Sequence, residues 1–360
     1  MRVRNHRGSI IIFVMVMVAL LSLLLASFTE HIMPHIRMYA MKGAERELRR
    51  VAYSTLEVSL AVLAAYGEYD QALYAPTQGW GDPLALAGIS FPEVDSVKVE
   101  FVDETGKLPL SSLYGDDILF RAILETLGYD DYTASELVDK LQDWVDEDDL
   151  ERANGAENDY YWDMPIPYEP PNQPIYSMNE LALIGGFNEQ FFELDGRPNE
   201  LFLFMKSLFS PVNDSEVNIN TADATLFSLG EEGMTHEQRP FWEYLAGDDG
   251  VRGTADDRYF ENTSEVPPTI QAALPGIRIS HRIRWLNIYV TVKSGLNVFE
   301  LRALVSVGGE IPRNQNTAYD RFQREEPVFA VEDASERTNQ ISSLQYPLVV
   351  VEVFENEIAL

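Results

Sequence analysis

The opening of the chain constrains its fold more than any other feature. A run of apolar residues from Ile10 to Phe28 contains no charged side chain. As a helix this run would be about 28 Å long, close to the roughly 30 Å hydrocarbon core of a bilayer. A secretory signal would be followed by a cleavage site of small residues, but the stretch holding Glu30 and Pro34 offers none. We therefore expect the run to remain in the mature protein as a membrane-spanning helix.

Composition limits the classes of partner. The chain has 360 residues, no cysteine and a formal net charge of -31. This length suffices for two folded units, and disulfide-stapled folds are excluded. The acidic excess would repel nucleic acid, so small cations are the more plausible partners. Basic residues flank the apolar run on both sides, so charge counting leaves its membrane orientation open.

Hydrophobic patterns after the apolar run predict an α+β head. The segment from Leu56 to Ala65 is nearly apolar, which predicts a helix buried against a sheet. Alternation at 97–101 and at 288–292 predicts half-buried strands, and the turn at Ser294 predicts a hairpin partner at 299–307. A further strand is predicted at 348–354.

Helical patterns interrupt this strand series from Asp116 to Leu208, and strand patterns return only after Gly276. The economical interpretation is a head built from both chain ends, with a helical domain inserted between its strands. The expected divisions are a leader at 1–8, a transmembrane and spine helix at 9–66, the first part of the head at 67–112, an inserted α-helical domain at 113–275, and the last strands of the head at 276–360.

An acidic cluster lies inside the predicted insert. Seven acidic residues occur from Asp143 to Glu157, followed by the aromatic and acidic run Asn158–Tyr161. Such a density is unfavourable unless it is solvated or neutralised by a cation. Oxygen ligands without cysteine or histidine favour Ca²⁺ or Mg²⁺, and a flexible loop favours the larger ion. The spacing departs from an EF-hand, so a solvated loop and an ion site both remain open at this point.

Two further segments allow alternative interpretations. The loop from Gly247 to Asp257 is similar to short calcium loops of extracellular proteins, but a surface turn explains it equally well. Ser177 and Glu180 predict a capping box, and Thr221 is predicted to cap a helix beginning at Ala222.

The run from Asn218 to Ala222 is similar to the start of the helix-hairpin-helix modules of competence-type DNA-binding proteins. Those modules grip phosphate with a glycine hairpin, but here Glu231 and Glu232 stand in the corresponding stretch 228–233. We favour a scaffold for protein contact, of a helix-hairpin or SAM-like kind. A membrane-anchored DNA-uptake protein remains the rival function. The common sequence signatures of nucleotide binding, serine hydrolases and zinc proteases are missing, so we expect no enzyme.

The leader resembles that of type IV pilins and type II secretion pseudopilins. Basic residues end in Gly8 directly before the apolar run, and the resemblance implies cleavage there by a prepilin peptidase and methylation of Ser9. Loss of the leader would change the net charge to about -34, because three arginines leave. Most of the family has glutamate at the fifth mature position, whereas this chain has Phe13. Lack of that glutamate is typical of the minor subunit K.

The acidic cluster also resembles subunit K of the general secretion pathway, through D-W-x-D-x-D at 143–148, G-A-E at 155–157 and the proline-rich stretch 167–174. The resemblance implies calcium in the helical domain. It also implies assembly with minor pseudopilins I and J at the tip of a pseudopilus that helps export folded proteins, with a single-pass inner-membrane anchor and a periplasmic head. The implied calcium ligands are Asp143, Asp146, Asp148, Glu157 and Asp159, with Asn158 and Asp149 as weaker candidates.

Overall fold

The computed structural model describes residues 7–115, 117–214, 216–227, 239–254, 256–272, 277–308 and 348–356. Its α-helices are α1 (Arg7–Asp70), α2 (Pro83–Ala87), α3 (Ser112–Gly115), α4 (Asp117–Thr126), α5 (Asp131–Val145), α6 (Asn158–Trp162), α7 (Phe187–Phe191), α8 (Glu200–Leu208), α9 (Arg239–Leu245) and α10 (Pro268–Ala272). Its strands are β1 (Ser96–Asp103), β2 (Leu108–Pro109), β3 (Phe209–Ser210), β4 (Glu216–Asn218), β5 (Arg278–Ser280), β6 (Trp285–Ser294), β7 (Asn297–Val307) and β8 (Leu348–Glu355). Short 3₁₀ helices connect several of them.

The head is a four-stranded antiparallel sheet in the order β1-β6-β7-β8. The hairpin predicted from the alternating residues is confirmed, because β6 pairs with β7 and places Val290 opposite Leu301. Strand β1 pairs with the other side of β6, with Val99 opposite Val290. A register shift between Leu304 and Val305 separates two stretches of pairing between β7 and β8.

Helix α1 covers one face of this sheet. Its apolar side chains, among them Val51, Leu56 and Leu63, share a core with alternate residues of β6 and β7 such as Ile288 and Phe299. The helix buries one apolar face and each strand buries every second residue. These two periodicities are the ones from which the sequence predicts the elements. The mixed helix and sheet fold expected from the sequence is thereby confirmed.

The amino-terminal part of α1 has a different environment. Helix α1 is continuous through Pro34, and its large apolar side chains between Phe13 and Leu25 that the structure describes are exposed. Within the described part of the chain, no helix is both long and apolar enough to cross a membrane. The side chains of residues 7, 9–12, 24 and 26–44 lie outside the described part of the structure. The membrane span and the cleavage site therefore stay predictions.

A second hydrophobic core belongs to the segment between β1 and β6. It gathers side chains from Leu108 to Ile279, with large buried rings such as Phe120, Trp144 and Phe202. The prediction of an all-α insert is wrong in one respect, because β3 and β4 lie within it and pair in parallel with β2 and β5. These pairs form where the chain passes between the insert and the head. Each of the four strands has only two or three residues, which is too few to give an alternating hydrophobic pattern.

Candidate cation-binding site

Helix α5 places the acidic cluster at an end of the insert core. Asp130 caps the start of α5, its Oδ1 accepting the Thr133 N–H at 2.9 Å. Leu141 and Trp144 are buried on the core side of the last turn, and Asp143 is buried as well. Asp146 is the C-cap residue, and the last turn contains no basic residue. Carboxylates at the negative end of a helix dipole are unfavourable unless a cation neutralises them.

Asp143 is fully buried. Its Oδ2 accepts the N–H groups of Arg152 at 3.2 Å and of Ala156 at 2.9 Å, whereas its Oδ1 has no hydrogen bond. The Arg152 guanidinium lies 3.6 Å from Oδ1 but is itself 40% exposed. Gly155 is needed at this turn, because a Cβ there would collide with the Asp143 carboxylate.

Glu157 is the least satisfied carboxylate of the cluster. It is only 5% exposed, both of its oxygens are buried without a hydrogen bond, and it does not cap α6 although it precedes that helix. Burial, followed by the negative charges of Asp143 and Asp146, raises the pKa of Glu157 to about 7. Burial and neighbouring carboxylates likewise raise the pKa of Asp143 and of Asp146. A bound cation would reverse these shifts.

The structure brings some of the predicted ligands together and leaves others outside. Asp143, Asp146 and Glu157 are neighbours with unpartnered buried oxygens. Asp148 and Asp149 are exposed but act electrostatically on Glu157. Their contacts are local: the Asp148 carboxylate accepts the Leu150 N–H, and the Asp149 carboxylate accepts the Asn158 amide. Asp159 is exposed on α6.

The donor set fits a hard divalent cation, although the described side chains do not yet close around one. Among the described residues, no three carboxylate or imidazole groups converge as a complete metal-binding group. Arg152 supplies one positive charge to Asp143 and Asp146, but three carboxylates have buried oxygens without a hydrogen bond, so a further cation would stabilise the cluster. Ca²⁺ tolerates irregular oxygen shells.

Asp139 supports this loop, although it is not among the residues expected from the sequence to form the site. Asp139 Oδ2 accepts both the backbone N–H and the side-chain amide of Asn154, at 3.1 and 3.0 Å. Its position one helical turn before Asp143 on the same face of α5 was a signal for this role. Glu180 is a second support, because it accepts the Trp144 indole N–H at 3.0 Å.

The second acidic loop is partly neutralised by its own arginines and held by its own hydrogen bonds. Asp256 accepts the N–H groups of Asp248 and Asp249 and the Thr254 hydroxyl, and these bonds lower its pKa to about 2. Two arginines supply the positive charge: Arg258 pairs with Asp248 at 2.6 Å, and Arg252 with Asp257 at 3.4 Å. The geometry therefore favours the surface-turn interpretation.

The predicted hairpin segments have structural roles. Ser177 accepts the Asn179 N–H, and Glu180 reaches back to the Tyr176 N–H, so a variant of the predicted capping box opens the 3₁₀ helix Met178–Leu183. The predicted cap at Thr221 is wrong, because its hydroxyl donates instead to Asp103 across the chain. Asn218 and Asn220 are also buried, which leaves them unavailable to a phosphate backbone. The stretch 228–233 lies outside the described residues.

Comparison with known families places the acidic cluster in a recognised segment. Residues 108–194 match the family model described as type II secretion system (T2SS), protein K. The chain is 27% identical over 203 residues to type II secretion system protein K of Pectobacterium carotovorum subsp. carotovorum, covering 53% of this chain and 56% of that protein. It is 28% identical over 204 residues to the Klebsiella pneumoniae protein of the same description, covering 52% and 61% respectively.

These matches span less than two thirds of the curated relatives. Among solved structures, a chain in the GspK-GspI-GspJ complex from the enterotoxigenic Escherichia coli type 2 secretion system aligns with a TM-score of 0.51. That alignment covers 74% of this chain and 93% of the other, at 15% identity, and so supports the fold alone. The resemblance to subunit K drawn from the leader and the acidic cluster is confirmed by the family match and the curated relatives.

Proposed function

We propose that this chain, which is similar to protein K of type II secretion systems, is a minor pseudopilin at the tip of a type II secretion pseudopilus. The observation that carries this proposal is the family match over 108–194, which contains the whole buried acidic cluster. In this role the protein is a structural component that assists export of folded proteins across the outer membrane. It is not an enzyme.

The proposed partners are the minor pseudopilins I and J of the same system, together with the other pseudopilus subunits. Support comes from the solved complex in which the similar GspK chain is assembled with GspI and GspJ. The head would lie in the periplasm, held to the inner membrane by the apolar run from Ile10 to Phe28. The exposed apolar side chains between Phe13 and Leu25 are compatible with a lipid surround.

Phe13 and the inserted domain both support a position at the tip. A carboxylate inside hydrocarbon is costly unless it is paired, so a subunit with no neighbour above it loses nothing by having Phe13. The insert is a second folded core beside the four-stranded sheet. Its bulk would obstruct the addition of a further subunit above. A subunit that caps the filament has no neighbour above it, so it needs neither a glutamate at position 13 nor free space above the insert.

Calcium is the proposed ion of the acidic cluster. Asp143, Asp146 and Glu157 would supply the central oxygen ligands, with Asp148 and Asp149 contributing charge from the exposed side. Bound there, the ion would neutralise the carboxylates and fix the loop between α5 and α6. Asp159 stays a predicted ligand, although its exposure gives it the weakest support of the set.

Co-purification tests the proposed assembly. The tagged full chain, solubilised in detergent, would be co-expressed with subunits I and J of its own system and the prepilin peptidase. We expect I and J to elute together with the chain as a stable complex, and an unrelated single-pass membrane protein serves as the control bait. Recovery of neither subunit, combined with salt-sensitive binding of duplex DNA, would support the DNA-uptake function instead.

A further inference from the structure

The connection between the head and the insert is a buried polar network. Asp103, at the end of β1, accepts three hydrogen bonds. Its Oδ2 accepts the Asn218 amide at 2.8 Å and the Thr221 hydroxyl at 2.5 Å, and its Oδ1 accepts the Thr105 N–H at 2.8 Å. Asp103 belongs to the head, whereas Asn218 and Thr221 belong to the insert.

The same amide of Asn218 also reaches the loop that follows α1. Its Nδ2 donates to the Tyr74 carbonyl at 2.9 Å, and Asn218 is fully buried. Next to this bond, the Ile283 N–H donates to the Leu73 carbonyl at 2.8 Å. One side chain of the insert is therefore bonded both to the sheet and to the segment that leaves the spine helix.

The two chain connections between the bodies are tied to each other at this point. The chain passes from the head to the insert after Thr105 and returns before β6. Thr105 Oγ1 accepts the N–H groups of Arg284 at 2.8 Å and Trp285 at 2.9 Å, which joins the outgoing chain to the returning chain. Gly106 lies so close to Thr221 that an added Cβ would be 2.6 Å from the hydroxyl.

Outside this network, the strand pairs β2–β3 and β4–β5 also join the insert to the head, and the Asn213 amide donates to the Lys107 carbonyl at 2.7 Å. A cleft of about 650 Å³ lies between the outer face of the sheet, at Tyr289 and Arg302, and the insert, at Tyr176 and Phe209. Two chain connections beside an open cleft, held only by strand pairs of two or three residues, would act as a hinge. A buried network that is fully bonded resists opening, because each separated donor or acceptor would lose its partner away from water.

We propose that the network of Asp103, Asn218, Thr221 and Thr105 is a rigid joint that holds the insert and the head as one body. A displacement applied to the insert is then transmitted to α1 instead of being absorbed at the connection. This mechanical role is independent of which partner the insert contacts. It assigns the N-I-N-T run a function that its likeness to DNA-binding hairpins did not indicate.

Distance measurement between spin labels tests the joint in the full-length chain. The sequence contains no cysteine, so Leu194→Cys in the insert and Leu296→Cys in the head give two labels without background. Both positions are fully exposed. The Thr221→Val variant removes one hydroxyl at nearly constant shape, and Asn218→Ala removes the central amide. Matched controls are Asn199→Ala, a helix cap within the insert, and Ser59→Ala, a buried hydroxyl on α1.

We expect a narrow distance distribution in the unmodified joint and in both controls. Thr221→Val and Asn218→Ala are expected to broaden it by about twofold or more, as the hinge is released. If Asn218→Ala fails to fold, the distance distribution of Thr221→Val alone tests the proposal. A distribution that is broad before any joint substitution, that stays narrow in both joint variants, or that broadens equally in the controls would overturn the proposal.

Discussion

At the residue scale, two buried carboxylates of the described part of the chain have opposite surroundings. Asp103 is surrounded by donors, and every hydrogen bond it accepts belongs to the joint. Glu157 lies among other acids and accepts none. The first arrangement is complete within the chain, whereas the second needs a positive charge from outside. The two kinds of site therefore respond differently to substitution.

Substitution of Glu157 should have opposite effects with and without calcium. Glu157→Gln removes a repelled buried charge, so in chelator the variant should have a higher melting temperature than the parent chain. With calcium the order should reverse, because the lost ligand weakens binding by about tenfold or more. Differential scanning calorimetry and calorimetric titration measure both effects. The control Asp248→Asn lies in the second acidic loop and should change neither the melting temperature nor the calcium affinity. The same order of stability of variant and parent with and without calcium would contradict the ion site.

Asp103 should make stability depend on pH. Burial raises its pKa from 3.8 to about 6. The unfolded chain therefore loses the proton first as pH rises, and this group lowers the free energy of unfolding between about pH 4 and about pH 6. Asp103→Asn cannot titrate. Denaturant unfolding across this range should show the stability of the variant, relative to the parent, increasing with pH and levelling above about pH 7; a constant difference would refute the assignment.

At the scale of elements, the sequence predicts what local patterns encode. The hairpin of β6 and β7 is confirmed because Ile288, Val290 and Val292 alternate with polar residues on a half-buried sheet. Strands β3 and β4 are too short to produce alternation. The local sequence predicts a helix cap at Thr221, because the residue that its hydroxyl contacts, Asp103, lies 118 residues away in the sequence. Long-range polar contacts leave no periodic trace.

The candidate cation site could be predicted from the sequence only in part, because its composition is local but its geometry depends on tertiary packing. The density of acids between Asp143 and Glu157 is visible in the sequence. Three of the five predicted ligands have buried oxygens without a hydrogen bond, although no three acidic groups of the described residues converge as a metal-binding group. Which acids turn inward depends on the core packing of α5 and on the close approach at Gly155. Those determinants are tertiary, so the exposure of Asp159 could not be foreseen.

At the scale of elements, we predict proteolytic removal of the leader that precedes the apolar run of α1. If the chain enters the pilin pathway, prepilin peptidase should remove residues 1–8 and leave a methylated amine on Ser9. Intact mass spectrometry of the protein purified from membranes should show a chain beginning at residue 9 with one added methyl group. A Gly8→Leu variant should retain the leader. Full-length protein in the presence of active peptidase would contradict the assignment to the pseudopilin class.

At the scale of the whole molecule, the joint and the tip proposal describe one mechanical device. The spine helix packs on the sheet through Leu56 and Leu63, and the joint fixes the insert to that sheet. In the proposed assembly, a subunit built in this way would present its insert at a fixed orientation to the filament beneath it. Such rigidity suits a cap that defines the end of a filament.

The position of the subunit in the pseudopilus tests the central claim most directly. Pseudopili assembled with an epitope-tagged full chain would be labelled with gold and viewed by electron microscopy, with a tagged major subunit as the control for label access. The account predicts label at one end of each filament and none along the shaft. Label at regular intervals along the shaft would contradict it.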